Sequence, residues 1–308
     1  MENKETLPLV SVVIPSYNRE KRIIKTLESV LKQSYKNYEI IIIDDNSSDN
    51  TYEVLKPYIS EKILYYKNEK NYGGAKSRNI GVEKSKGSII AFLDSDDEWE
   101  IDKLKNQVDM FIKNKDIAMI YTKYTLIAEN TGESFLFNEK KRLNEDFKAI
   151  LCNNYIGTTS TICIKKDAFL QIGGFDVNLK ACQDWDLYIR VLQKYNTKCV
   201  EIPSVKYYFH NESITGNITN VVNAHKIVFE KIDNIIKDGT FTDNEKNIIK
   251  SNNYERLAHV YAKYKDIKNA RKYFKLAYSY DKNNKNALKH LMASYLGKTL
   301  YYKLKNIK

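Results

Sequence analysis

The sequence predicts an α/β fold, a mixed and mostly parallel sheet between helices, followed by an all-helical C-terminal region. Three observations carry that expectation. Short β-branched runs such as residues 10–14 and 40–43 alternate with segments of helical periodicity, the pattern of a largely parallel sheet covered on both faces. Several of these runs end in carboxylates, above all the apolar residues 88–93, which stop at Asp94, Ser95, Asp96 and Asp97. In open α/β sheets the ligand crevice lies outside the carboxyl ends of the strands, so acids placed there face a site and not a core. After Thr215, Gly216 and Asn217 only helical patterns remain, which divides the chain into 1–215 and 216–308.

Taken in order, residues 10–14 are β-branched and stop at Pro15, a first buried strand that leads into the loop Ser16, Tyr17, Asn18. Residues 19–31 follow with Ile23, Ile24, Leu27, Val30 and Leu31 at helical spacing. Residues 39–43 form a second strand ending in Asp44 and Asp45, and the turn-rich Asn46 to Asn50 comes next. A helix over 51–58, a strand over 63–66 and a helix over 74–83 precede the strand that ends at Asp94. Beyond the acids, 102–114 reads as a helix and 118–121 as a strand. Segments around Leu126 and 135–137 make a hairpin across Asn130, Thr131 and Gly132. Residues 159–164 are expected as a strand, 166–172 as a short helix ended by Gly173 and Gly174, and 184–195 as a helix. Two strands, 198–202 and 205–209, close the sheet.

With 308 residues, 43% hydrophobic and 29% charged, the chain can bury a large core and is neither disordered nor fibrous. Fifty Lys and Arg against 39 Asp and Glu give a net charge of +11, which favours anionic partners without choosing among nucleotides, lipids and nucleic acid. Cys152, Cys163, Cys182 and Cys199 lack CxxC spacing, and residues 1–7 are polar with no signal-like apolar stretch. Reduced cysteines and a cytoplasmic location are therefore expected. No apolar run is long enough to span a bilayer, so membrane association, if present, is peripheral.

The acids carry the chemistry. Three carboxylates this close repel one another unless a cation sits among them, and hard oxygens suit Mg²⁺ or Mn²⁺ held jointly with the oxygens of a substrate diphosphate. The alternative is a polar turn that caps the next helix. Asp45 suits the N–H of a pyrimidine base or a turn cap, Tyr17 a base or simple packing, and Arg78 a base, a phosphate or a surface ion pair. A second constellation joins Gly173, Gly174, Phe175 and Asp176 to Gln183, Asp184, Trp185 and Asp186. Asp184 there serves either as a helix N-cap or as a general base on an attacking hydroxyl. His210 is either structural or a metal or diphosphate contact.

These motifs in this order resemble the family 2 glycosyltransferases of GT-A fold. The residues that carry the resemblance are Val12 to Asn18, Ile43 to Thr51, Ala75 to Gly81, Phe92 to Asp97, and Gly173 to Asp176 with Gln183 to Asp186. They cover about the first two-thirds of the chain, and together are far more specific than any one motif. The resemblance implies a GT-A nucleotide-diphospho-sugar transferase fold and an inverting transfer from a nucleotide-diphosphate donor, with a UDP-sugar expected, to a hydroxyl acceptor. It also implies a divalent cation, Mn²⁺ or Mg²⁺. Donor binding then falls to Pro15, Ser16, Tyr17, Asp45, Arg78, Asp94, Ser95 and Asp96; the metal to Asp96, Asp97 and His210, with the choice between the two acids open. Asp184 matches the catalytic base, and Gly174, Phe175 and Trp185 stand on the acceptor side. Gln183 occupies a position where many relatives carry Glu.

In the helical tail, Tyr254, Leu257, Ala258, Tyr261, Ala270, Phe274 and Ala277 are spaced much as in a tetratricopeptide repeat, and Leu288, Leu291 and Tyr295 suggest a second, incomplete one. Residues 285–308 hold six lysines and no acid, so this segment is either a repeat cap or a basic amphipathic helix facing an anionic membrane. A saccharide or lipid-linked acceptor, in the synthesis of a bacterial surface polysaccharide or glycolipid, is the expected substrate. The rival reading is a catalytically silent GT-A scaffold that recruits partners through its helices. An oxidoreductase lacks its Gly-x-Gly-x-x-Gly fingerprint, and no nucleic-acid-binding motif is present, so no nucleic-acid partner is expected.

Overall fold

The computed structural model describes residues 7–137, 139–209, 218–296 and 301. It divides into two compact units, one of residues 1–139, 156–179 and 183–211, the other of 140–155, 180–182 and 212–308.

The first unit is built on one sheet. Its strands are β1 (Val10–Ser16), β2 (Tyr38–Asp44), β3 (Ile63–Lys67), β4 (Ile89–Phe92), β5 (Glu98–Trp99), β6 (Ile117–Ala128), β7 (Ser134–Leu136), β8 (Ile162–Lys165) and β9 (Asn196–Phe209). Among the described residues they run in the order β3-β2-β1-β4-β8-β6-β9-β5, with β7 paired to β6. Strands β1, β2, β3 and β4 are mutually parallel where they pair, while β8 is antiparallel to both β4 and β6. Every residue of β1 and β2 is buried, as a strand covered on both faces requires. The helices of this unit are α1 (Ile23–Leu31), α2 (Thr51–Leu55), α3 (Gly74–Lys84), α4 (Lys103–Lys113), α6 (Lys166–Gln171) and α7 (Gln183–Lys194).

Parallel pairing sets where the functional ends fall. Ser16 lies opposite Asp44, and Val13 opposite both Ile41 and Phe92, so the acids that end β2 and β4 emerge at one edge beside the end of β1. Helix α3 is drawn tightly onto β1: a Cβ on Gly81 would stand 2.3 Å from Val13 Cγ1. That contact fixes the height at which Arg78, on the preceding turn of α3, reaches the same edge.

The structure departs from the expected elements in several places. Residues 198–202 and 205–209 belong to one long strand, β9, which passes Pro203 through register shifts against β6 between Thr122 and Tyr124; a proline cannot donate to the ladder, and an irregularity absorbs it. Thr159–Thr161 is a 3-10 turn, and β8 begins only at Ile162. The two-residue β5 and the helix α5 (Asp146–Cys152) were not expected.

The second unit contains α5, α8 (Ile218–Ile235), α9 (Asp243–Lys263), α10 (Ile267–Tyr280) and α11 (Lys285–Ser294). A capping box starts α9, with Thr242 Oγ1 accepting from Glu245 N and Glu245 Oε2 accepting from Thr242 N. Lys148 Nζ, 2.9 Å from Glu245 Oε1, ties α5 to the same turn. Ala258, Ala262 and Ala270 let α9 and α10 approach closely around Phe274, and the Tyr261 and Tyr273 rings stack at 5.4 Å. Met292, Tyr295 and Leu296 are exposed at the end of α11 and just beyond. The rest of the lysine-rich segment, 297–300 and 302–308, lies outside the described residues, as does His210. No described helix is long and apolar enough to cross a membrane.

Candidate active site

The turn that follows β4 holds three carboxylates in three different settings. Asp97 N donates to Asp94 O at 3.0 Å, closing the turn. The Asp97 side chain is fully buried and accepts from Ser160 Oγ at 2.5 Å and from Tyr208 N at 3.4 Å. Ser160 Oγ in turn accepts from Asp94 N at 3.0 Å, so a single hydroxyl links both ends of the turn. Burial, with the charges of Asp94 and Asp96 adding to it, holds the Asp97 carboxyl well above the ordinary carboxylate range. Asp94 and Asp96 instead stay partly open to solvent. Arg19 Nη2 lies 3.5 Å from Asp96, and Ser95, between the two, is buried.

Asp94 is the hub. Its carboxylate accepts from Arg78 Nη2 at 2.5 Å and from Thr159 Oγ1 at 3.1 Å. The Arg78 guanidinium lies 5.4 Å from the centroid of the Phe175 ring, and Nη1 reaches Gln183 Oε1 at 3.3 Å. Phe175 is itself buried edge-on against Phe92 at 5.2 Å. Its backbone is pinned to α3 by a reciprocal pair: Phe175 N donates to Asn79 Oδ1 and Asn79 Nδ2 donates to Phe175 O, each at 2.9 Å. The two glycines before it have φ of +80° and +67°, and a Cβ on Gly174 would meet Asn79 Oδ1 at 2.7 Å. Left-handed backbone and close approach both call for glycine here. Gly174, Phe175 and Trp185, expected on the acceptor side, are all buried, and Phe175 packs against the Arg78 guanidinium.

Asp184 stands in the first turn of α7 and is half-buried. Burial pushes its carboxyl above the ordinary range; Trp185 N–H and Arg78 oppose the shift and Asp94 adds to it. Asp94, Arg78 and Asp184 thus share one electrostatic site. One turn on, Arg190 pairs with Asp186 at 2.6 Å and donates to Ile172 O at 2.7 Å, which fixes α7 in place.

At the tips of β1 and β2, Asp45 is buried and already engaged. Asn68 Nδ2 and Tyr72 N donate to Oδ1 at 2.8 and 2.9 Å, and Gly73 N to Oδ2 at 2.7 Å, so Asp45 orders the loop that enters α3. Asp45 N donates to Ser16 O at 2.7 Å. Pro15 and Ser16 are buried in β1, with Ser16 Oγ lacking a partner, while Tyr17 is 45% exposed. Sequence reasoning missed Arg19, Thr159, Ser160 and the tyrosines 124, 188 and 207. The hydroxyls of those tyrosines are pushed up by burial and, further, by the site's carboxylates. Among the described residues no group of three His, Cys, Asp or Glu side chains could hold a metal ion.

The sequence model of Glycosyl transferase family 2 matches residues 11–172, more than half of the chain, from β1 through α6. The chain belongs to glycosyl transferase family 2. It is 33% identical over 238 residues to a putative teichuronic acid biosynthesis glycosyltransferase, TuaG, of Bacillus subtilis, covering 74% of this chain and 90% of that one. It is 34% identical over 212 residues to the Escherichia coli UDP-Glc:alpha-D-GlcNAc-diphosphoundecaprenol beta-1,3-glucosyltransferase WfgD, covering 68% and 80%. The structure of S. aureus TarS 1-349 in complex with UDP-GlcNAc matches with a TM-score of 0.59 at 17% identity, over 86% of this chain and 90% of that one. That likeness shows the GT-A fold of the family 2 domain with a helical region after it. The protein is therefore a family 2 glycosyltransferase in both fold and class of activity.

Proposed function

We propose that this glycosyltransferase moves a sugar from a UDP donor to a hydroxyl of a lipid-linked saccharide, with inversion, in the synthesis of a bacterial surface polysaccharide. The observation that carries the reading is the common site of Asp184, Arg78 and Asp94, in which burial raises the Asp184 carboxyl. A base works best when its pKa lies near the working pH, and burial moves Asp184 in that direction. Tyr17 is exposed for packing on the base of the nucleotide, with Asp45 holding the loop beside it. Asp94 and Ser95 take the ribose side. Arg78 and Arg19 neutralise charge that builds on the departing diphosphate.

The donor set fits a divalent cation: Asp94 and Asp96 offer hard oxygens that solvent reaches, and Mg²⁺ or Mn²⁺ is commonly held by one or two carboxylates completed by substrate phosphate. When bound, the ion supplies Lewis-acid stabilisation of the leaving group. Asp96 is assigned as its ligand. Asp97, turned inward to Ser160, shapes the turn. Attack by the acceptor hydroxyl on the face opposite the diphosphate, with Asp184 taking the proton, needs one carboxylate and gives inversion in a single displacement.

The names of the relatives support the substrate class: WfgD acts with UDP-Glc on a diphosphoundecaprenol-linked sugar, and TarS has been solved with UDP-GlcNAc. A lipid-linked acceptor would bring the enzyme to the inner face of the cell membrane. The test is UDP release from a panel of UDP-sugars with Mn²⁺, with and without a chelator. Release from one UDP-sugar, suppressed by chelation, is expected. No release from any of them, with or without an undecaprenyl-diphosphate-linked saccharide as acceptor, would overturn the reading.

A further inference from the structure

Besides Ser16 Oγ, a second buried hydroxyl in the site, that of Tyr188, has no partner. Tyr188 lies on α7 four residues after Asp184, so the two side chains leave the same face of the helix. The residue is wholly buried, yet its hydroxyl has no hydrogen-bond partner. A buried donor left unpaired is costly and rare in folded proteins. Phenylalanine would fill the same volume without that cost. The charges that reach this hydroxyl are Asp184, Asp94 and Arg78, with the Tyr124 hydroxyl beside them. These are the expected base, the donor-side acid and the arginine that binds it. Arg78 Nε, buried and also without a partner, belongs to the same group. This hydroxyl keeps a free hydrogen-bonding capacity beside the expected base, the donor-side acid and Arg78, and the group that lies between a donor diphosphate and the base is the transferred sugar.

We propose that the Tyr188 hydroxyl binds the sugar of the donor, by a hydrogen bond to one of that sugar's hydroxyl groups, and so helps to determine which sugar is transferred. This rests on the UDP-sugar reading above. It assigns Tyr188 to recognition of the sugar and leaves the nucleotide to Tyr17, Asp45 and Asp94.

The experiment is calorimetry of the full chain and of Tyr188→Phe with Mn²⁺ and three probes, UDP, UDP-glucose and UDP-GlcNAc, together with the thermal midpoint of each protein. Phenylalanine should leave UDP affinity unchanged and weaken at least one UDP-sugar by about five- to tenfold, the scale of one lost hydrogen bond. The midpoint should stay or rise, since an unpaired donor is gone. Equal affinity for every probe in both proteins would overturn the contact. A lower midpoint with a uniform loss across UDP and both UDP-sugars would make Tyr188 a packing residue only. If wild type binds UDP but gains nothing from either sugar, the contact fails while the nucleotide site stands. If it binds none of the three, the donor reading fails first and takes the contact with it.

Discussion

Replacing Arg78 by methionine isolates the ion pair at the heart of the site. Methionine keeps an unbranched side chain over Phe175 but removes the guanidinium that sits 2.5 Å from Asp94 and 3.3 Å from Gln183. Breaking a fully buried pair by removing one partner costs about 3–5 kcal/mol. Asp94 keeps Thr159 Oγ1 at 3.1 Å and is 25% exposed at its side chain, so water recovers part of that. A loss of about 2 kcal/mol is expected, which for a domain of this size lowers the thermal midpoint by about 4–8 °C. Asp94→Asn should cost a similar amount, because Arg78, only 8% exposed, then faces a neutral amide oxygen in place of the carboxylate that balances its charge. The double variant should be less damaged than the sum of the two singles by about 1–3 kcal/mol, the usual coupling of groups in direct contact. Urea unfolding followed by fluorescence reads all four proteins, since the only two tryptophans, Trp99 and Trp185, are buried in the first unit. Additivity within about 0.5 kcal/mol would refute the pair as a coupled unit.

Two further substitutions test the surrounding frame. Asp97 binds its proton more tightly folded than unfolded, so its contribution to stability is complete below the ordinary carboxyl range and is lost as pH rises through the raised value. Asp97→Asn keeps an acceptor for Ser160 and stays neutral; it should match wild type in acid and exceed it by about 1 kcal/mol or more near neutrality. Thermal midpoints measured across pH check this, and a gap that does not grow with pH would contradict it. Gly81→Ala should destabilise by about 1–3 kcal/mol because its Cβ would stand 2.3 Å from Val13 Cγ1. It should also weaken UDP binding by moving Arg78. A variant as stable as wild type in urea would mean that the α3–β1 contact relaxes freely.

The sheet was legible where burial is two-sided. Strands β1 and β2 are continuous apolar runs because both faces are covered, and their ends are marked by Pro15 and by Asp44 and Asp45. The clustering of acids at one edge followed from parallel pairing alone. Less could be read where pairing, not pattern, makes the element: β5 has two residues, and β9 runs on past Pro203 because β6 tolerates a register shift there. Thr159 and Ser160 look like strand residues, yet their hydroxyls reach across to Asp94 and Asp97, and no local pattern signals such a contact. Arg19 was hidden for the same reason, its partner Asp96 lying far along the chain. Phe175, directly after two glycines, and Trp185, one of two tryptophans, are both buried; the sequence does not show whether such a ring lines a site or packs beneath it. Tyr188 sits among apolar core positions of α7, and only the absence of a partner for its hydroxyl sets it apart.

If Asp184 removes the acceptor proton as proposed, Asp184→Asn should separate donor binding from turnover. Asparagine preserves the shape of the first turn of α7 but cannot take a proton. UDP-sugar affinity should stay within about threefold of wild type, while transfer to an undecaprenyl-diphosphate-linked saccharide should fall by about 10²-fold or more, the scale of a lost general base. Near-normal transfer by this variant, with donor binding intact, would leave Asp184 as no more than a residue in the first turn of its helix.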